Sequence, residues 1–158
     1  MAENLLLLED TASREEKYRY LLPQIGSLLS GENDLIANMA NISAALKQTF
    51  DFFWVGFYRV LEGELRLGPF QGPVACSRIL WGKGVCGTAW KEARSMVVPN
   101  VDVFPGHIAC NSASKSEMVV PVFDRREVVA VLDIDSDRLD DFGEVDVGFL
   151  EEIVGLLC

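Results

Sequence analysis

The sequence predicts an α+β fold, a mainly antiparallel central sheet with N- and C-terminal helices packed on one face of it. Three features of the chain predict this. Apolar residues recur at helical spacing as far as Phe50. From Phe52 onward, short runs rich in aromatic and β-branched residues are broken by glycine, proline and charged turns. After Phe142 the helical spacing returns.

The elements follow in order. Ser13-Arg14-Glu15-Glu16 is a capping box that opens a helix carrying Tyr18, Leu21, Leu22, Ile25, Leu28 and Leu29 on one stripe. Pro23 lies inside this pattern and is expected to kink or split the helix. Asn33 is the expected cap of a second helix, with Leu35, Ile36, Met39, Ile42 and Leu46 on its apolar face. Phe52–Val60 (FFWVGFYRV) reads as a strand. Glu62-Gly63-Glu64 turns the chain into a second strand, Leu65–Phe70. A third strand is expected over Val74–Ile79, after the Gly72-Pro73 breaker. Gly84–Ala93 is expected to be a short helix behind a glycine-rich lead-in, and Ser95–Val98 a short strand. Pro99–Ser116 is a long loop. Met118–Phe123 and Val128–Ile134 form a hairpin around Asp124-Arg125-Arg126. The last helix starts near Phe142–Val145 and carries Val147, Leu150, Ile153, Val154 and Leu157. We therefore expect one domain over residues 1–158: helices at about 13–49, sheet and site loops at about 52–136, and a final helix at about 143–157.

Composition narrows the function. A formal net charge of −10 argues against nucleic acid, whose binding rests on cations that neutralise phosphates, and against an anionic membrane surface. No apolar run is long enough to span a bilayer, and Leu5–Leu8 is too short and too acidic in its flanks for a secretory leader. The expected location is the cytoplasm, where the four cysteines rest reduced and any disulfide is transient rather than structural.

Three groups of residues can carry chemistry. The thiols are Cys76, Cys86, Cys110 and Cys158, and none forms a C-x-x-C pair. Cys76 is expected in a strand. Cys86 in GVCGTAW fits a buried small hydrophobe as well as a catalytic thiol. Cys158 is the last residue and is expected to fray. Cys110 differs, because it sits in the polar loop three residues after His107, the only histidine, in surroundings that favour a thiolate. A Cys₃His metal set of His107, Cys110, Cys76 and Cys86 is an alternative, though its spacing is irregular. Asp133 and Asp135 form the second group. Two apart on a strand, they share a face and repel unless something positive or protonated lies between them. Glu117 opens the preceding strand and can reach the same region. Trp54 and Tyr58 form the third group. They share a strand face with Gly56 between them, which leaves an open space, and they read either as core packing or as two walls of a ligand site offering hydrogen-bond donors.

With these residues in place, the sequence from about Trp54 to Ser136 resembles GAF domains of one enzymatic kind, the free methionine-(R)-sulfoxide reductases. The resemblance is carried by WVGFY, LGPFQGPVACSRI, GKGVCGTAW, VPNVDVFPGHIACNSASKSEMVVPVF and VLDIDS. It implies that Cys110 is the nucleophile, Cys76 the resolving cysteine and Cys86 an auxiliary thiol. It places Glu117, Asp133 and Asp135 at the substrate, between aromatic walls Trp54 and Tyr58. It further implies free methionine sulfoxide as substrate, a sulfenic acid and then a Cys76–Cys110 disulfide, thioredoxin as reductant, no metal or organic cofactor, and a homodimer as a reasonable assembly. The rival reading is a non-catalytic GAF sensor of a small ligand or of redox state. Three matched cysteines exceed what a ligand pocket needs, and 158 residues are expected to leave no room for an output domain.

Overall fold

A computed structural model describes residues 4–158. Helix α1 spans Arg14–Leu29 and opens with the expected capping box: Ser13 Oγ accepts from Glu16 N at 3.1 Å, and Ser13 N donates to Glu16 Oε1 at 3.2 Å. Pro23 does not split it. Tyr18 and Leu21 before the proline, and Ile25 and Leu29 after it, all enter one core, so packing holds both halves together. The Gln24 side-chain amide also donates to the Tyr20 carbonyl at 3.0 Å. Helix α2 spans Leu35–Phe50 and is capped by Asp34 rather than Asn33, since Asp34 Oδ1 accepts from Ala37 N at 2.8 Å. Its buried stripe includes Met39, Ile42, Ala45 and Leu46, whereas Ile36, expected inside, is exposed.

Among the described residues, six strands form one antiparallel sheet: β1 (Trp54–Leu61), β2 (Glu64–Gln71), β3 (Arg78–Ile79), β4 (Met96–Val98), β5 (Ser116–Asp124) and β6 (Glu127–Ser136), in the order β3-β2-β1-β6-β5-β4. The expected third strand shrinks to Arg78–Ile79, because Pro73 and Cys76 give their carbonyls to side chains of β1 instead of to a neighbouring strand. Cys76 therefore lies in a loop, not in a strand. The β5–β6 hairpin is longer than its apolar runs suggest, and its ladder takes in Ser116, Glu117, Asp135 and Ser136. Helix α3 spans Gly84–Glu92 and α4 spans Glu144–Gly155.

The period of two on the central strands divides the interior. Val55 and Phe57, Met118, Val120 and Val122, and Ala130, Leu132 and Ile134 face α1, α2 and α4 and build the larger core. Trp54 and Tyr58, Val119, and Val131 point to the other side. The expectation that the helices share one face holds for α1, α2 and α4 but not for α3. Val85, Cys86 and Ala89 of α3 pack against the second face instead, and the site lies there.

A buried polar network ties the first helix to the last. The Tyr18 hydroxyl donates to Asp146 Oδ1 at 2.7 Å, and Asp146 Oδ2 accepts from Gly143 N at 2.9 Å at the start of α4. Arg14 pairs with Asp141 at 3.0 Å and Asp146 at 3.3 Å, and lies over the rings of Phe52 and Phe142. Burial pushes the Tyr18 hydroxyl up, and the adjacent Asp146 charge pushes it further, so it stays a neutral donor. Truncating it leaves a buried carboxylate one donor short. We expect Tyr18→Phe to lose about 1–3 kcal/mol in urea unfolding with an unchanged m-value. A loss of a few tenths of a kcal/mol or less would show that the network carries little of the α1–α4 contact.

Candidate active site

The site is built on the second face of the sheet, and β1 supplies its aromatic wall. The Trp54 and Tyr58 rings lie 6.0 Å apart and line the pocket. The space expected at Gly56 is filled. A side chain there would overlap Phe70 and come within 2.9 Å of the Pro69 carbonyl oxygen. The register steps from Gly56↔Phe70 to Tyr58↔Leu67, so β2 carries one extra residue here, a bulge that accompanies the stacking of Phe70 on Trp54 at 5.2 Å. The polar ends of the two rings are also engaged. Trp54 Nε1 donates to the Pro73 carbonyl at 3.0 Å, and the Tyr58 hydroxyl donates to the Cys76 carbonyl at 2.9 Å. They hold the loop at 72–77 over the pocket rather than offering free donors to a ligand.

That loop delivers Cys76 to Cys110, and the two form a disulfide with their Cα atoms 5.6 Å apart, across 34 positions of sequence. Cys110 is exposed on the loop that follows Phe104 and lines the pocket, and half-buried Cys76 is joined to it beside Val74 and Ala75 of the same lining. With Cys76 and Cys110 bonded to each other, the four residues do not form a Cys₃His set in this structure. The groups that do converge are Cys86, Glu117 and Asp133. Cys158 is exposed and lines a different pocket.

The carboxyl groups form the floor. On β5 and β6, Glu117 is directly opposite Asp135, and Asp133 is one pleat further along the same face. Glu117 and Asp133 are buried, Asp135 nearly so. Burial pushes the Glu117 carboxyl up to about 8, and the charge of Asp135 adds to the shift. Burial likewise raises Asp133, seconded by Glu117, and raises Asp135, seconded by Asp133. Asp133 Oδ1 is buried with no hydrogen-bond partner among the described residues, although the Asp133 carboxyl group lies beside Glu117 and Cys86. Cys86 Sγ lies 3.9 Å from Glu117 Oε1, and burial together with the Asp133 and Glu117 charges raises its thiol well above the ordinary range. Cys86 is thus held as a neutral thiol, which is a poor nucleophile. Tyr58 is raised too, by burial and then by Asp133, and stays a phenol.

Two further residues complete the floor. His107 Nε2 comes within 3.5 Å of Glu117 Oε2, and burial lowers the imidazole, so at neutral pH it faces the acid uncharged. Its sequence signal was its uniqueness and its nearness to Cys110, neither of which points to Glu117. The Ser114 hydroxyl donates to Asp135 Oδ1 at 2.8 Å and ties the root of the Cys110 loop to the floor. Nothing in the sequence marks Ser114, since only the return of the loop across β6 brings it there. The whole constellation is a redox-capable cysteine pair above a compact set of carboxyl groups whose pKa values are raised by burial and mutual charge, open to a ligand that carries a positive group and accepts a proton.

The buried acids make a stability prediction. Their pKa values are raised in the folded chain, so the folded state holds protons that the unfolded chain releases near pH 4 to 5, roughly the ordinary carboxyl range. The folded state binds more protons, and stability falls as pH rises. For Glu117 the loss runs from that ordinary range up through about 8. We expect the urea midpoint to decline between about pH 5 and pH 8, and the Glu117→Gln chain to decline less steeply. A midpoint that climbs across this window contradicts a protonated floor.

Comparison with known proteins agrees with this geometry. The GAF domain family matches residues 34–158. GAF domain-containing protein A of Dictyostelium discoideum is 56% identical, with 99% of each chain covered. The free methionine-R-sulfoxide reductase of Escherichia coli is 41% identical over 92% of this chain and 88% of its own. The solved free methionine-R-sulfoxide reductase of Neisseria meningitidis, in complex with its substrate, superposes with a TM-score of 0.92 at 47% identity, over 96% of this chain and 92% of that one. The chain belongs to the GAF domain family, in the group whose named members include the free methionine-R-sulfoxide reductases.

Proposed function

We propose that the protein reduces free L-methionine (R)-sulfoxide to methionine. The observation that carries this reading is the Cys76–Cys110 disulfide at the mouth of a pocket floored by Glu117, Asp133 and Asp135. A disulfide there is the product left after one turnover of a thiol-dependent reduction. The relatives named for this activity and the R epimer they act on support the substrate assignment.

In the reduced chain the Cys110 thiolate attacks the sulfoxide sulfur. Glu117, protonated at neutral pH, gives its proton to the sulfoxide oxygen. The oxygen moves to Cys110, which becomes a sulfenic acid, and methionine leaves with the electron pair on its sulfur. The Cys76 thiol then attacks the Cys110 sulfur, an S–S bond forms, and the oxygen departs as water. A thioredoxin-type dithiol returns both cysteines to thiols. Cys86 remains a neutral thiol beside the acids and takes no part in the first transfer.

Preference for the free amino acid follows from the floor. The unpartnered Asp133 oxygen and the Asp135 carboxyl can accept from the substrate ammonium, whose charge favours their ionised forms on binding; a peptide-linked residue lacks that group. Trp54 and Tyr58 flank the thioether chain with apolar faces, their polar ends already engaged. A small-ligand sensor gains nothing from a disulfide at the pocket mouth; a redox sensor would use one, but the buried carboxyl floor and the relatives named for the reductase activity favour the enzyme.

The assay is reduction of separated R and S epimers of free methionine sulfoxide with dithiothreitol; no turnover of either would sink the enzyme reading. Cys110→Ser is expected to abolish single-turnover formation of methionine, whereas Cys76→Ser completes the first turnover and stalls with thioredoxin as reductant. Full activity in Cys110→Ser would move the nucleophile elsewhere. Because the acid must be protonated, kcat/KM is expected to fall as pH rises through about 8. Glu117→Gln should lower kcat/KM by about 100-fold or more and remove that alkaline limb. An alkaline limb that persists in Glu117→Gln assigns the proton to another group.

A further inference from the structure

The disulfide can be reopened only from outside. Restoring two thiols takes two electrons and two protons, and the remaining cysteines are isolated from each other. Cys86 is buried beside Glu117, and Cys158 lies in a separate pocket with Phe123 and Val154. The surface around the disulfide combines two features that a protein partner can use.

It is apolar where it is exposed. Two residues before each half-cystine stands an exposed aliphatic side chain, Val74 at 87% and Ile108 at 38%. Both line the pocket mouth together with Ile79. The chain then leaves Ile79 through Leu80 and Trp81, which are 61% and 53% exposed. Ile108 meanwhile packs within 3.2 Å of where a Gly84 side chain would begin, which draws the 80–84 turn and the Cys110 loop together. Large exposed apolar side chains gathered around one reactive group mark an interaction site more often than chance exposure does.

It is also basic on an acidic molecule. The segments 72–91 and 104–116 carry Arg78, Lys83, Lys91 and Lys115 and no aspartate or glutamate, in a chain whose net charge is −10. Arg78 shares Glu64 with Arg66, and Lys91 lies over the Trp81 ring at 5.1 Å.

We propose that this face, Val74, Leu80, Trp81 and Ile108 with the cations beside them, is the docking face of a dithiol reductant protein. The proposal rests on the reductase reading for why the disulfide forms. The partner is one that presents its thiolate from an apolar surface with an acidic rim. A small thiol needs only access to the exposed Cys110 and gains nothing from the apolar ring. The exchange balances. The partner's thiolate attacks one half-cystine sulfur, forms an intermolecular S–S bond and expels the other half-cystine as thiolate. The partner's second thiol then breaks that bond, the partner leaves as its own disulfide, and Cys76 and Cys110 end as thiols, one proton coming from the partner's second thiol and one from solvent.

The test follows reduction of the disulfide itself, without methionine sulfoxide. Oxidised full-length protein is mixed with reduced thioredoxin or with dithiothreitol, and new thiols at Cys76 and Cys110 are counted by alkylation and mass. The probes are Leu80→Ser/Trp81→Ser and Lys91→Glu, positions that line no part of the pocket. The double variant should lower the second-order rate with thioredoxin about tenfold or more, as loss of an aromatic anchor does. Lys91→Glu should lower that rate and weaken its salt dependence. Rates with dithiothreitol should stay within about twofold, since a small thiol makes none of these contacts. An unchanged thioredoxin rate in the double variant, or an equal loss with both reductants, overturns the docking face. A chain that shows the expected difference yet reduces no methionine sulfoxide keeps the docking face and loses the reductase reading.

Discussion

The site depends on three carboxyl groups sharing one dry face of the β5–β6 hairpin. Ionised together they would repel at close range and lose their hydration, so burial and crowding keep protons on them. Burial acts on the neighbouring groups in the same way, favouring their neutral forms. Cys86 stays a thiol, Tyr58 stays a phenol, and His107 stands uncharged against Glu117. A protonated acid at neutral pH is what a departing sulfoxide oxygen requires, and an unpartnered Asp133 oxygen beside it is what an ammonium group requires. The same burial is a standing cost in stability that rises with pH.

A floor of this kind must be held by something that is not itself polar. The opposite side of the same strands carries Met118, Val120, Val122, Ala130, Leu132 and Ile134 against α1, α2 and α4. That core fixes the register of the hairpin, because a slip of one residue would bring the carboxyl groups into the helical layer. The Tyr18–Asp146–Arg14 network closes the helical layer from its far side. The mouth is built differently. It consists of two loops joined by a disulfide, one hung from β1 by Trp54 and Tyr58, the other rooted to β6 by Ser114. Rigid floor and loop-borne thiols suit a site whose cysteines must approach a ligand, then each other, then a partner.

Much of the fold was legible because its signals are local. The capping box at Ser13, the helical stripes and the hairpin at Arg125-Arg126 each depend on neighbours within a few residues. The departures have separate causes. Core packing on both sides of Pro23 kept its helix from splitting, and side chains of β1 drew the Val74–Ser77 segment off the sheet, while at the second helix the neighbouring Asp34 took the cap expected at Asn33. The period of two put Asp133 and Asp135 on one face, and Trp54 and Tyr58 likewise, before any coordinates were needed. It could not tell that the ring donors point at loop carbonyls, or that Phe70 fills the space at Gly56.

What the sequence by itself determined is the chemical inventory and its phase: which residue types are present, which alternate to one side of a strand, and which motif they spell. Those properties are written in spacing, and spacing survives without coordinates. Only the tertiary structure decided the meetings. Cys76 reaches Cys110 across 34 residues because two side chains of β1 lift its loop off the sheet. His107 faces Glu117, Cys86 comes under both, and α3 covers the second face because strands distant in the chain are neighbours in the sheet. The protonation of the floor belongs to the same class, since a carboxyl group's pKa answers to its solvent and its neighbours rather than to its place in the chain.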